Sequence, residues 1–174
     1  MSLTYVPEVI ERLSPNHSPR QFGPFADPKR GRPGTRVDTV LIHHTASASS
    51  LGSLTWMCSP KSGVSAHYLV GTEGEVWRLV PERLKAWHAG VACLPWERGP
   101  WTLANGKVSA EGYDFNHRSI GIEAVNPGDG KTPFTEAQYR AALNDAGFVD
   151  VEITGTHRVH ASASSAIVRA RVPG

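Results

Sequence analysis

Val37–Thr45 reads VDTVLIHHT, and these nine residues decide the fold. Valine, threonine and isoleucine stiffen the backbone towards the extended form. Gly34 precedes the run and an Ala/Ser-rich stretch follows it, so it reads as a short buried strand. Alternation along a strand puts Leu41, His43 and Thr45 on one face and Val40, Ile42 and His44 on the other. The two adjacent histidines therefore point apart, and one site can receive at most one of them.

Working outward, SAHYLVG (65–71) and VWRLVP (76–81) read as two further strands, joined at TEGE (72–75). Gly74 supplies the backbone angle such a turn needs, so the pair is predicted to be a hairpin. LGSLTWMCSP (51–60) suits a short helix that stops before Pro60. RSIGIEAVN (118–126) is a fourth strand. Thr135 can cap a helix over TEAQYRAALNDAG (135–147), which Gly147 ends. FVDVEITG (148–155) and SAIVRARV (165–172) complete the set as a fifth and a sixth strand. The Gly- and Pro-containing stretch 90–117, carrying Trp96 and Trp101, reads as a long functional loop. Residues 1–36 hold prolines at 7, 15, 19, 24, 28 and 33 and read as an arm that wraps the domain or positions its first strand. The expected architecture is a single α/β domain over 37–174, a mixed central sheet flanked by helices.

Composition narrows the class. The chain has 174 residues, 40% hydrophobic and 20% charged, with a net charge of +2. That supports one core and argues against disorder and against a nucleic-acid binder held by net charge. No apolar run approaches the roughly 20 residues of a membrane helix, so no membrane insertion is expected. The first residues carry acidic groups where a signal peptide would have a basic start. Two cysteines, Cys58 and Cys93, make no disulfide framework; they could pair or serve singly as metal ligands, and best suit buried or half-buried thiols.

Eight histidines are present. A histidine ending a buried strand sits where clefts form, and suits either a metal or a hydrogen bond to backbone. The ordered phrases VLIHHTAS (40–47), SAHYLVGTEGEVWRLVPERLKAWHAG (65–90) and NHRSIGIEAVNPGDGKTPFTEAQY (116–139) resemble the zinc-dependent N-acetylmuramoyl-L-alanine amidases, a family that includes phage lysozyme-type and recycling amidases and the peptidoglycan recognition proteins. The resemblance covers residues 37–142. It implies a Zn2+ cofactor with His43 as the first ligand, Glu123 as the catalytic acid/base, and His88, Trp87 and Asn116 along the substrate groove. Other members carry a tyrosine where Ala66 stands, which favours the glutamate branch. Trp77, Trp96, Trp101 and Tyr113 are candidates for glycan contact or core. The implied substrate is peptidoglycan or a muropeptide, cut by a zinc-activated water, and the implied partner list holds no nucleic acid and no second subunit.

His157 matches the second zinc ligand, one residue later than the family's pattern. The third, an Asp or Cys eight to ten residues on, has no counterpart: no Asp, Glu or Cys follows Glu152. The tail 143–174 resembles instead the terminal hairpin of an arsenite-type methyltransferase. No Gly-rich cofactor loop accompanies it, so methyl transfer is not expected. Two functions remain: a peptidoglycan amidase, or a peptidoglycan-binding module with an incomplete zinc site. With no export signal, the expected place of action is the cytoplasm, or the cell wall after release in the manner of an endolysin.

Overall fold

The computed structural model describes residues 8–20, 37, 39–93, 99, 101–102, 107–109, 113–139, 141–142, 149–160 and 163–171. In chain order the strands are β1 (Val9–Glu11), β2 (His17–Pro19), β3 (Thr39–His44), β4 (Tyr68–Val70), β5 (Val76–Arg78), β6 (Leu84–Ala86), β7 (Val91–Ala92), β8 (Trp101–Thr102), β9 (Val108–Ser109), β10 (Tyr113–Asp114), β11 (Ser119–Ala124), β12 (Val149–His160) and β13 (Ala163–Arg171). Helix α1 spans Ser50–Met57 and α2 spans Glu136–Tyr139. Seven strands form one sheet in the order β1-β5-β4-β11-β3-β13-β12. Parallel pairs β4/β11 and β11/β3 form its centre, and antiparallel hairpins flank it. The mixed α/β sheet expected from the sequence is what forms.

Local chemistry explains the elements. In α1 the Ser49 Oγ accepts from the Gly52 amide at 3.0 Å, satisfying one orphan donor, and Pro60 follows the C-cap Cys58. The β4–β5 turn places Gly74 at φ +84, as a hairpin turn requires. At α2, Thr135 Oγ1 accepts from the Gln138 amide while Gln138 Oε1 accepts from the Thr135 amide, a reciprocal capping box. The remainder of the helix read over 135–147 lies largely outside the described residues. Cys58 and Cys93 are both half-buried.

The stretch 1–36, read as an arm, is woven into the domain over its described part. β1 runs parallel to β5 and β2 antiparallel to β6. Ser14 and Asn16 are buried, each bonded to the Met57 carbonyl. Residues 156–160 extend the fifth strand beyond its sequence-read end at Gly155, and the tail closes as a hairpin whose second strand pairs with β3.

Strand parity sets the two faces of the sheet. Ile42 and Ile122 share a core with Val70, Val76, Ala141 and Ala142. On the opposite face, Leu41 packs with Ala89, Tyr113 and Phe115, and the same face of β11 carries the small or polar series Ser119, Gly121, Glu123. The functional side chains gather on this second face.

Candidate active site

β3 and β11 lie side by side in parallel register, with Glu123 opposite His43 and Gly121 opposite Leu41. In-register neighbours project to the same side, so the buried His43 and the Glu123 carboxyl occupy one surface of the sheet. His44 lies on the other: its ring packs on Gly128, and its Nδ1 accepts from the Ala46 amide at 3.1 Å. The prediction that these histidines part company holds.

His88 completes the cluster. Its Nδ1 is 3.0 Å from His43 Nε2 and its Nε2 is 3.1 Å from Ser119 Oγ, so both ring nitrogens are engaged within the protein. Two features put the ring there. The Asn116 side-chain oxygen accepts from the backbone amides of His88 (3.1 Å) and Ala89 (2.7 Å). Gly121 leaves the space: a Cβ at that position would sit 2.4 Å from His88 Cγ. Asn116, expected along the groove, is 5% exposed and acts on the site by fixing the His88 backbone.

Behind His88 stands His67, its ring centroid 5.7 Å away. The Gly121 amide donates to His67 Nδ1 at 2.9 Å, and Arg20 Nη2 lies 2.8 Å from His67 Nε2. Arg20 also donates to the carbonyls of Glu82, Asn116, His117 and Ser119. This buried cation ties the N-terminal stretch to the turn preceding β11. Neither Arg20 nor His67 nor Ser119 was singled out from sequence. Arg20 meets His67 and Ser119 from 47 and 99 positions away, and no local pattern signals such pairings.

The electrostatics follow from burial. Desolvation, with His44 nearby, pulls His43 down to about 4. Desolvation likewise takes His67 to about 4 and His88 well below its ordinary value. All three are therefore held in the neutral form at pH 7. Burial pushes Glu123 up to about 8, and its Oε2 is buried with no hydrogen-bond partner among the described residues. A buried carboxyl oxygen without a donor is costly and calls for a function.

These shifts predict a bell-shaped stability for metal-free protein. A histidine depressed in the fold loses stability as pH falls from 6.5 towards 4, because the unfolded chain takes up the protons. A glutamate raised in the fold loses stability as pH rises from 4.5 to about 8. Three histidines outweigh one glutamate below about 6.5, and above it Glu123 acts alone. Thermal unfolding in chelator should therefore peak near pH 6.5, and a transition temperature that climbs steadily to pH 9 would contradict the burial of Glu123.

The neutral His43 and the orphaned Glu123 oxygen suit a cation, yet the described residues contain no group of three or more His, Cys, Asp or Glu able to hold a metal. His157 stands in the same ladder row as His43, with Ser165 of β13 between them. Strand spacing puts its backbone ~10 Å from that of His43. Trp87 is half-buried, its indole N–H donating to Ser18 Oγ at 3.3 Å. Of the aromatic candidates, Trp77 packs against the core and Tyr113 is 3% exposed. Trp96 and the Trp101 side chain lie outside the described residues.

Against known proteins, the profile of the N-acetylmuramoyl-L-alanine amidase family matches residues 33–147. The chain is 36% identical over 124 residues to N-acetylmuramoyl-L-alanine amidase AmiD of Escherichia coli K12, covering 62% of this chain and 38% of that protein. It is 40% identical over 52 residues to N-acetylmuramoyl-L-alanine amidase A of Achromobacter lyticus, covering 29% of each. The chain thus spans less than two-fifths of the length of either relative. Among solved structures, a selenomethionine derivative of AmpD aligns with a TM-score of 0.46 at 22% identity, over 84% of this chain and 76% of that one. A mutant endolysin from Bacillus subtilis aligns with a TM-score of 0.45 at 20% identity, over 79% and 72%.

Proposed function

Since this chain belongs to the N-acetylmuramoyl-L-alanine amidase family, we propose that it hydrolyses the amide joining N-acetylmuramic acid to L-alanine, in peptidoglycan or its muropeptide fragments. One observation carries the reading: a neutral, buried His43 beside a Glu123 whose inner oxygen has no hydrogen-bond partner among the described residues. Protein cores do not keep such a pair for packing.

Glu123 is the acid/base. Held protonated near neutrality by burial, it can hand a proton to the departing alanine amine; once ionised, it can take one from the attacking water. Its place on the rigid centre of the sheet fixes the distance over which that proton moves. His43 and His157 would hold a zinc ion, which when bound supplies a water with a pKa near 7 and polarises the amide carbonyl. His88 and Trp87 would line the groove beside them. The bonds change simply: the amide C–N breaks, the lactyl carbon gains a hydroxyl oxygen, and the peptide leaves with a free amine.

The second reading, a peptidoglycan-binding module, is favoured by one feature: no Asp, Glu or Cys follows Glu152 to serve as the anionic third ligand. Zinc content measured together with release of L-alanine-terminated peptide from cell walls separates the two. Stoichiometric zinc and amide cleavage, both lost in His43→Ala, are expected. Metal-free protein that still sediments with peptidoglycan without cutting it would establish the binding module instead. No helix among the described residues is long and apolar enough to cross a membrane. We take the substrate to be met as a monomer, either as wall fragments in the cytoplasm or as intact wall after endolysin-like release.

A further inference from the structure

Asn16 and Arg20 are buried and Ser18 between them is half-buried. All three lie ahead of residues 33–147, the stretch that matches the family. β2, which holds Ser18, pairs with β6, and β6 runs directly into Trp87 and His88. Two sets of bonds reach those two residues from the N-terminal segment. The first holds Trp87. Its indole N–H donates to Ser18 Oγ at 3.3 Å, and its backbone amide donates to Ser65 Oγ at 3.0 Å. The buried Ser65 hydroxyl in turn donates to the Asn16 carbonyl at 2.5 Å.

The second set holds His88. Arg20 Nη1 donates to the carbonyls of Asn116 (2.7 Å) and His117 (2.9 Å), and Nη2 to that of Ser119 (3.0 Å). These carbonyls end the 3-10 turn Phe115–His117 and open β11, and the fixed fork of a guanidinium serves all three at once. The turn so closed aims Asn116 Oδ1 at the amides of His88 and Ala89. Ser119 meets the His88 ring through both its hydroxyl and its backbone. Arg20 therefore acts on His88 at its backbone and at its ring.

We infer that Asn16–Arg20 is a positioning element of the substrate groove, with Arg20 setting His88 and Ser18 setting Trp87, so that the family-matching stretch forms its groove only with this segment in place. That the two side chains face substrate rests on the amidase reading; their seating does not.

Arg20→Lys in the full chain tests it, keeping the charge and losing the fork. Amide hydrogen exchange should quicken at His88 and Ala89 by roughly tenfold, the loss of about one hydrogen bond. The amides of Val125 and Ser53, bonded to Val70 and Ser49, should keep their wild-type rates. With a muropeptide as substrate, KM should rise while kcat changes little, the mark of lost substrate binding. A residue that merely stabilised the fold would quicken exchange at all four amides and lower the active fraction at constant KM, and either result overturns the inference. Ser18→Ala leaves Arg20 in place and gives an independent reading should the lysine variant fail to fold. Its Trp87 indole N–H should exchange faster and its KM should rise, and an indole exchanging at the wild-type rate overturns the inference. Local exchange changes in a protein that cuts no peptidoglycan would uphold the seating and remove the amidase reading alone.

Discussion

Glu123→Gln is expected to cut hydrolysis of the muramoyl–alanine amide by roughly 10²–10⁴-fold, the usual contribution of a positioned acid/base. Glutamine keeps the volume and both polar atoms and cannot exchange a proton. The same change should stabilise the metal-free protein above neutrality. Ionising a carboxyl whose folded pKa is raised from 4.5 to about 8 opposes folding, by up to ~3 kcal/mol near pH 7, and glutamine has no such penalty. The two readouts move oppositely, as they do for a group kept for chemistry at the expense of the fold. Denaturant titration at pH 6 and pH 8 with the cell-wall assay checks both. A variant that cuts peptidoglycan at the wild-type rate removes Glu123 from the mechanism.

Gly121→Ala should damage the site severely for a change of a single methyl group. The added Cβ would meet His88 at Cγ (2.4 Å), Nδ1 (2.5 Å) and Cδ2 (2.7 Å). These atoms belong to the root of a ring held at both nitrogens, so rotation offers no escape. Either His88 leaves its seat or β11 moves away from β3. We expect a loss of ~1–3 kcal/mol from overpacking, and a fall in kcat/KM of about 10²-fold, the cost of misplacing a catalytic group by about 1 Å. A double-mutant cycle assigns the cause: with His88→Ala already present, Gly121→Ala should add little. If it destabilises equally in both backgrounds, the damage comes from the strand backbone and not from His88.

Much of the core was legible because strands and turns are written locally. VDTVLIHHT alternates along its length, so the opposite facing of His43 and His44 could be read from that strand alone. The hairpin around Gly74 and the stop before Pro60 depend on neighbours in sequence. The N-terminal stretch resisted reading, since its prolines mask two three-residue strands whose pairing partners lie far along the chain. The resemblance puts Asn116 along the groove; its burial depends on Arg20 and on the 87–90 turn, neither of which its own flanks reveal.

By itself, then, the sequence determined which residue types stand on which side of each strand, because the side-chain period of an extended chain is a property of the backbone. Only the tertiary structure decided that β11 is the neighbour of β3, in the register that sets Glu123 against His43. It also decided that Ser119, Gly121 and Asn116 converge on one imidazole. Register is chosen by burying both apolar faces at once across long loops, and that choice belongs to the whole sheet.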